Sequence, residues 1–381
     1  MRIAFYAPMK SPEHPIPSGD RRLAQLLMGA LRQGGHQVQL ASQHRSYNGT
    51  GNAETQEIIK QEGELQASKL LDAYNNGKIR KPHIWLTYHL YHKAPDWIGP
   101  QVCQTLNIPY VIAEASYASK QSGGPWDQGL QASKRAIEIA SAVISFNNVD
   151  DACILPLLKQ GTQIHSILPF IDTRPYVVAA EERVLHRRST ADQYNIDPAM
   201  PWLLCVAMMR PGDKLRSYQQ LGAALSKLSE RTWRLIVVGD GSACDRVTSA
   251  LAPINDQVHW IGTQDAESLP GIYAACDLYV WPAVNEAFGM AFIEAQASGL
   301  TVIAGDSGGV RGVVNAPDCG ILVEPGDPEA LAQAVAKLLD DSEYRQAMAS
   351  RAWQHTREHH GLDAGASALN QVLEKVTSCQ Y

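Results

Sequence analysis

The residues best suited to chemistry lie around two glutamates, Glu286 and Glu294. The pattern predicts a strand ending at Trp281, a loop carrying Glu286, and a helix that begins near Gly289 and holds Glu294 in its second turn. The first residues of a helix offer free backbone N–H groups and the positive end of the helix dipole, which suit a diphosphate. Gly289 lets a ligand approach the backbone closely. Glu286 can then reach hydroxyl groups attached to the phosphates, and Glu294 can bind a vicinal diol such as ribose.

A simpler interpretation makes Glu286 a surface loop residue and Glu294 a solvated helix residue, because the spacing of two glutamates means little by itself. Glu294, however, lies in the apolar stretch Phe292-Ile293-Glu294-Ala295. Burying an unpaired carboxylate there would be costly, so we favour the functional interpretation.

Buried strands separated by helices must position these residues. Apolar runs of strand length alternate with amphipathic stretches such as 21–32, which predicts parallel sheets covered by helices. The expected strands of the first half are 3–7, 38–41, 84–87, 110–113, 142–146 and 164–168. Those of the second half are 202–208, 234–238, 257–261, 278–281, 301–304 and 320–323.

The two sets of strands predict two doubly wound α/β domains facing a central cleft, with ligands at the carboxyl ends of the strands. The segment 169–201 between the sets is rich in proline and charge, so we place the domain boundary near residue 175. A length of 381 residues allows two or three domains.

Composition excludes several classes of protein. The net charge of −6 argues against bulk nucleic-acid binding, which depends on neutralising phosphates. Residues 1–178 hold 17 basic and 14 acidic residues, whereas the rest holds 16 and 25. The seven cysteines are widely spaced, without a zinc-type pair, and no apolar run is long enough for a membrane span or a signal peptide. We expect a soluble protein of a reducing compartment.

Several motifs resemble glycosyltransferase family 4, whose members are retaining enzymes of the GT-B fold with a Glu-x7-Glu motif. Glu286-x7-Glu294, with Phe288-Gly289 between, resembles that motif. Four further segments resemble the family in order and spacing. They are Val237-Val238-Gly239-Asp240-Gly241, Leu269-Pro270-x2-Tyr273-x3-Asp277, Ser307-Gly308-Gly309 and Gly320-x5-Gly326-Asp327.

The resemblance implies a role for each matching position. Glu286 and the backbone of Phe288, Gly289 and Met290 would hold the donor sugar and its diphosphate, and Glu294 the ribose. The remaining donor-side residues are Gly19, Gly239, Asp240, Arg210 and Lys214. The last two resemble the family's basic pair, and a guanidinium with an ammonium can stabilise charge on a departing diphosphate. The alternative is a solvated Arg and Lys in a strand-to-helix loop.

The chain departs from the family pattern at several positions. Its first loop reads Pro17-Ser18-Gly19-Asp20, where the family usually has a Gly-Gly pair, and Gly312 stands where an acidic residue is frequent. The family's frequent acceptor-domain histidine corresponds to Glu114, which either binds acceptor hydroxyls or is a structural loop carboxylate. His89, at the end of another strand, is the alternative acceptor-side histidine.

The resemblance therefore implies a retaining, metal-independent glycosyltransferase of polysaccharide biosynthesis, with no cofactor. An N-terminal Rossmann-like domain, 1–175, would bind a carbohydrate, lipid-linked or small-molecule acceptor. A C-terminal one, 176–360, would bind the donor, with a UDP- or GDP-sugar expected. The helix expected at 363–377 would cross back to the first domain, so residues 361–381 would belong to that domain. We expect a cytoplasmic protein, with loose peripheral contact to the inner face of a membrane through the basic N-terminal domain as an option.

Two other functions stay open at this point. A nucleotide-sugar 2-epimerase can share the fold and the donor site, and a non-catalytic sugar-nucleotide or glycan-binding protein would keep binding without transfer. No Asp-x-Asp pair or complete dinucleotide fingerprint appears. The cluster His355-x3-His359-His360 has helical spacing for a metal, but its polar surroundings favour a solvated helix.

Overall fold

The computed structural model describes residues 1–16, 18–287 and 289–378 and divides the chain into two compact units. Unit 1 comprises Met1–Ile167 and Leu362–Tyr381, and unit 2 comprises Leu168–Gly361. The division falls between Ile167 and Leu168, slightly earlier than the boundary expected near residue 175.

Unit 1 is built on a parallel sheet whose strands lie in the order β2-β1-β3-β4-β5-β6. Each expected strand of the first half coincides with one of them, because strands covered by helices on both faces need continuous apolar runs. The strands are β1 (Arg2–Tyr6), β2 (Gln37–Ser42), β3 (Ile84–Leu90), β4 (Tyr110–Ala115), β5 (Ala142–Ser145) and β6 (Ile164–Ser166). The helices of unit 1 are α1 (Gly19–Gln33), α2 (Ala53–Asn75), α3 (Gly99–Leu106), α4 (Asp127–Glu138), α5 (Asp151–Ile154) and the last helix of the chain, Leu362–Ser378.

Unit 2 repeats the architecture with the strand order β12-β11-β10-β7-β8-β9, again parallel. The strands are β7 (Trp202–Val206), β8 (Arg234–Val238), β9 (Val258–Gly262), β10 (Leu278–Trp281), β11 (Thr301–Gly305) and β12 (Gly320–Val323). The helices are α6 (Arg174–Glu181), α7 (Arg183–Tyr194), α8 (Asp213–Leu225), α9 (Cys244–Leu251), α10 (Leu269–Ala275), α11 (Met290–Ala297), α12 (Pro328–Asp340) and α13 (Ser342–His359). Short 3-10 turns lie at Ser119–Gln121, Leu155–Leu157, Ser226–Leu228, Ala252–Gln257 and Val310–Gly312.

Each sheet has a point where the order of its strands reverses. In unit 1 the chain leaves β1 for β2 on one side and then returns to β3 on the other side of β1. In unit 2 it runs from β7 to β8 and β9 and then returns to β10 on the other side of β7. The loops that follow such a pair of strands diverge, which leaves an opening at their carboxyl ends for a ligand.

The last helix, α14 (Leu362–Ser378), belongs to unit 1 although it follows unit 2 in the chain. Its apolar face is buried, including Leu369, and it packs against α1. Asn370 fixes the contact: its amide oxygen lies 2.8 Å from Nε2 of His36, and its amide nitrogen donates to the carbonyl oxygen of Gly34 at 3.1 Å. The helix expected to cross back at 363–377 is confirmed.

Within the described ranges, no helix is long and apolar enough to cross a membrane.

We predict that Leu369→Ala lowers the free energy of unfolding by about 2–5 kcal/mol, because it removes a fully buried side chain and leaves a cavity. Urea denaturation followed by circular dichroism measures the change. Gln371→Ala, at an exposed position of the same helix, is the control and should change stability by less than about 0.5 kcal/mol. Equal stability of the two variants would show that α14 is not part of the core of unit 1.

Candidate active site

Lys214 and Glu286 meet at the reversal point of unit 2. Lys214 lies in the first turn of α8, which follows β7, and Glu286 lies in the loop that follows β10. The ammonium Nζ is 2.6 Å from Oε2 of Glu286, and Nε1 of Trp281 lies 3.4 Å from the same oxygen. The two charged side chains are 34% and 20% exposed. The pair is therefore held by the protein but remains open to a ligand.

The loop that carries Glu286 has an unusual backbone. Ala283 and Asn285 both have positive φ, 58° and 50°, a conformation that is uncommon for residues other than glycine. The loop after β11 supports it, since the amide of Gly309 donates to the carbonyl oxygen of Glu286 at 3.1 Å. A Cβ on Gly308 would lie 2.2 Å from that oxygen, so only glycine allows this approach. The glycines of the Ser307-Gly308-Gly309 motif thus fix the position of Glu286.

The glycine loop after β8 supports the loop after β7 in the same way. A Cβ on Gly239 would lie 2.0 Å from the carbonyl oxygen of Ala207, and the amide of Met209 donates to the carbonyl oxygen of Asp240 at 2.9 Å. The side chains of Arg210 and Asp240 are exposed beside this contact. The loops after β7 and β8, which are separate motifs in the sequence, therefore pack together as one structure.

Helix α11 begins at the predicted place. Gly289 precedes it in a left-handed conformation with φ 66°, and Met290 is its first residue. Glycine has no side chain to cap the helix, so first-turn N–H groups stay available to an anion. Phe288 lies outside the described residues.

Glu294 is buried rather than solvated, so the simpler interpretation of this residue is wrong. It is 3% exposed, and its Oε2 accepts a hydrogen bond from the hydroxyl of Tyr273 at 2.8 Å. Tyr273 belongs to α10 and is itself fully buried against Tyr279 and Tyr176. The motif around Leu269 and Tyr273 marked this helix, but nothing in the sequence indicated that Tyr273 is the partner of Glu294.

Unit 1 brings together the two acceptor-side candidates, His89 and Glu114. Nδ1 of His89 lies 2.9 Å from Oδ1 of Asp20, a residue that the sequence analysis assigned no role. Oε1 of Glu114 accepts the amide hydrogen of Phe146 at 2.6 Å. Burial raises the pKa of Glu114 to about 7. Gly19 is exposed, and a Cβ there would meet no atom within 4 Å, so packing in unit 1 does not require glycine.

The histidine cluster departs partly from its expected solvated helix. Helix α13 ends at His359, and His360 is fully buried with its Nδ1 2.6 Å from the carbonyl oxygen of Pro169. The rings of His355 and His359 are 4.5 Å apart. No group of three or more His, Cys, Asp or Glu residues in the described part of the chain could hold a metal ion.

Part of the chain matches a family of known proteins. Residues 201–355, which contain the unit 2 site, match the family described as "Glycosyl transferases group 1". A D-inositol 3-phosphate glycosyltransferase from Salinispora arenicola is 36% identical over 286 residues, which cover 72% of this chain and 63% of that protein. Matches to two others of that name, from Salinispora tropica and Corynebacterium urealyticum, cover only 25% of their length.

Solved structures show the fold over the whole chain. Sucrose-phosphate synthase from Thermosynechococcus elongatus has a TM-score of 0.71 at 20% identity, with 99% of each chain covered. Anabaena Alr3699/HepE in complex with UDP-glucose has a TM-score of 0.67 at 18% identity, with 99% of this chain and 100% of that chain covered. The expected GT-B fold with two Rossmann-like domains is confirmed.

We predict that Tyr273→Phe lowers the free energy of unfolding by about 1.5–3 kcal/mol, because it removes a hydrogen bond to a buried carboxylate. Tyr279→Phe is the matched control. It removes a bond of 3.2 Å to the neutral carbonyl of Val206 and should cost about 0.5–1.5 kcal/mol. Urea denaturation measures both, and a loss for Tyr273→Phe no larger than for the control would contradict the importance of the Tyr273–Glu294 bond.

Proposed function

We propose that this protein is a glycosyltransferase that takes its sugar from a nucleotide-sugar donor bound by unit 2. The observation that carries the proposal is the Lys214–Glu286 pair at the reversal point between β7 and β10. The glycine loop after β8 and the start of α11 flank the same strands. The family match over residues 201–355 supports the proposal, as does the structural neighbour solved with UDP-glucose.

In this proposal the diphosphate of the donor binds to the first N–H groups of α11, to Arg210 and to Lys214. An ammonium has three donors, so Lys214 can keep its contact with Glu286 while it binds a phosphate oxygen. The two cations stabilise the charge that develops on the diphosphate when the sugar leaves. The net charge of unit 2 does not attract the donor, since residues 168–361 hold 16 basic and 24 acidic residues.

Glu286 would bind hydroxyl groups of the donor sugar, which places its carboxylate beside the reacting carbon. Glu294 would bind the ribose, and its 3% exposure limits that contact to one edge of the carboxylate. We propose transfer with retention at the anomeric carbon and without a metal. Positioning and charge stabilisation would then supply most of the rate.

The decisive experiment is a screen of UDP-, GDP- and ADP-sugars by thermal shift and by donor hydrolysis. The acceptors tested with each stabilising donor include D-inositol 3-phosphate, because it appears in the names of the relatives. Product NMR separates transfer from 2-epimerisation and reports the anomeric configuration, and EDTA tests the metal independence. A protein that no sugar nucleotide stabilises would overturn the proposal.

Glu286→Gln is expected to abolish transfer while the fold stays intact. The amide keeps the size of the side chain but loses the negative charge that pairs with Lys214. Activity is measured with the donor identified by the screen, and circular dichroism checks the fold. Glu230→Gln, at an exposed position of unit 2, is the control and should keep full activity. Full activity of Glu286→Gln would remove Glu286 from the donor site.

Lys214→Ala is expected to weaken the binding of UDP or GDP by about 10- to 100-fold, the loss of a charge-assisted hydrogen bond to phosphate. Isothermal titration calorimetry measures the affinity. Lys227→Ala serves as the control, since Lys227 is 47% exposed and pairs with Glu329 away from the reversal point. Unchanged affinity of Lys214→Ala would contradict its role on the diphosphate.

A further inference from the structure

A cavity of about 790 Å³ lies at the amino end of the unit 2 sheet, the end opposite to Lys214 and Glu286. Helices α6 and α13 form its walls, and Ser298 and Gly299, which follow α11, form its floor. Both wall helices contact α11, which has only eight residues, so the space beyond its end is left open between them. The volume is within the range of about 300–1,000 Å³ that is typical of sites for small ligands.

The floor of the cavity consists of small residues whose backbone groups are already paired. The amide of Ser298 donates to the carbonyl oxygens of Glu294 and Ala295, both at 3.1 Å, and its hydroxyl donates to the carbonyl oxygen of Glu294 at 3.0 Å. Gly299 has φ 77°, a conformation that favours glycine, and a Cβ there would meet no atom within 4 Å. The end of α11 is therefore closed by its own hydrogen bonds, and the space beyond it is open to a ligand.

The charges that line the cavity cancel, since two are acidic and two are basic. Arg183 and Asp277 pair with each other at 2.7 Å and serve the fold. Glu181 of α6 and Arg345 of α13 lie on opposite walls, and neither forms an ion pair within the described ranges. Nη1 of Arg345 donates to the carbonyl oxygen of Leu338 at 2.6 Å, which fixes the guanidinium. A ligand with a net charge of either sign would meet a like charge, so the lining favours an uncharged ligand.

Helix α13 presents a polar face with one aromatic residue to the cavity. Gln346, Ser350 and Gln354 recur every four residues along this face, and Trp353 lies next to the last of them. Trp353 is half-buried, and the guanidinium of Arg357 lies 4.4 Å from the centre of its ring. A different face of the helix is buried in unit 2: Met348, Ala352 and Thr356. The core contact of α13 is thus made without the face that lines the cavity.

Such a lining suits a sugar. A sugar ring has an apolar C–H face that packs against an aromatic side chain, and its hydroxyl groups both donate and accept hydrogen bonds. The indole of Trp353 offers the aromatic surface, and Val177 and Ala180 of α6 add apolar surface on the other wall. A glutamine amide carries two donors and an acceptor, as a hydroxyl partner requires, while a carboxylate and a guanidinium can each bind two neighbouring hydroxyls.

We propose that this cavity is a further carbohydrate site, which holds a short uncharged stretch of a glycan without reacting with it. Trp353 packs against a sugar ring, and Gln346 and Gln354 bind its hydroxyl groups. Glu181 and Arg345 bind hydroxyl groups from the two walls. The inference goes beyond the proposed function and does not depend on it, because the cavity and the proposed donor site lie at opposite ends of the unit 2 sheet.

The first test locates the binding of neutral oligosaccharides on the full chain. Protein labelled with fluorotryptophan is titrated with maltotriose, cellotriose and α-1,6-mannotriose and followed by fluorine NMR. The chain has eight tryptophans, and Trp353→Phe identifies the resonance of Trp353 by its loss. That resonance should shift with at least one oligosaccharide, whereas the resonance of Trp260, which is exposed on β9, should not. A Trp353 resonance that no oligosaccharide shifts would overturn the inference.

Variants of the lining test the site with the oligosaccharide that responds. Trp353→Ala should weaken its binding by about 10-fold, because the aromatic surface is lost. Ala349→Phe places a large side chain in the cavity and should abolish binding. Gln354→Ala should weaken binding by about 2- to 10-fold and tests the site even if Ala349→Phe does not fold, since Gln354 is exposed.

Trp260→Ala is the control for these variants and should change the affinity by less than about twofold. Ligand-observed NMR measures the affinities, and thermal melting checks the fold. Equal affinities of Trp353→Ala and Trp260→Ala would place the bound oligosaccharide elsewhere on the chain and overturn the inference.

The charge of the ligand is tested with glucose, glucose 6-phosphate and glucosamine as competitors of the oligosaccharide. Both charged sugars should compete less well than glucose, because the phosphate meets Glu181 and the ammonium meets Arg345. Stronger competition by either charged sugar would contradict an uncharged ligand.

Failure of this inference and failure of the proposed function give different results. A protein that binds sugar nucleotides but none of the oligosaccharides overturns the further carbohydrate site alone. A protein that binds an oligosaccharide at Trp353 but no sugar nucleotide overturns the proposed function alone. The affinity for UDP or GDP should change by less than about twofold in Trp353→Ala and Gln354→Ala, and a parallel loss of both affinities would identify the cavity residues as structural.

Discussion

The reversal of strand order within each sheet is the constraint on which the candidate sites depend. Neighbouring loops at the carboxyl end of a parallel sheet normally run to the same side, and they diverge only where the order reverses. Both reversals in this chain are spanned by a polar pair, Lys214–Glu286 in unit 2 and Asp20–His89 in unit 1. Each pair joins a residue at the start of a helix to one at the end of a strand or just after it. Topology alone therefore brings together residues that are 72 and 69 positions apart in the chain.

The sequence was sufficient to predict the strands and helices that depend on local residue patterns. The strands were predictable because burial on both faces demands continuous apolar runs, and α11 because Gly289 and Gly299 bound its pattern. The resemblance pointed to Glu286, and the structure places that residue beside Lys214, but its role stays a prediction. The solvated alternative for Glu294 was excluded only once its burial was known.

Side-chain partners and backbone irregularities were not predictable, because they arise from packing between distant segments. Tyr273 meets Glu294 across two helices, and no spacing rule links them. His89 and Glu114 were treated as alternatives, yet a shared departure from regular strand geometry sets them side by side. Nothing in the sequence singled out Asp20 except its position after Gly19, because its contact with His89 depends on which strand lies next to β1. The two compact units divide a few residues before the expected boundary, because proline and charge mark an exposed segment rather than the limit of a packed core.

Charged side chains lie at both ends of the unit 2 sheet, and comparing them bears on the role proposed for Lys214 and Glu286. At the amino end, Asp277 is 15% exposed and binds Arg183 at 2.7 Å, Arg187 at 3.1 Å and the amide of Trp202 at 2.8 Å. Those contacts tie α7 to β7 and β10 and satisfy the carboxylate fully. At the carboxyl end, the side chains of Lys214 and Glu286 are 34% and 20% exposed, and ion pairs that solvent reaches contribute about 1 kcal/mol or less to folding. Glycines and positive-φ residues nonetheless hold Glu286 in place. The pair itself adds little to the stability of the fold. The ligand binding that we propose for it would account for the strained backbone around Glu286.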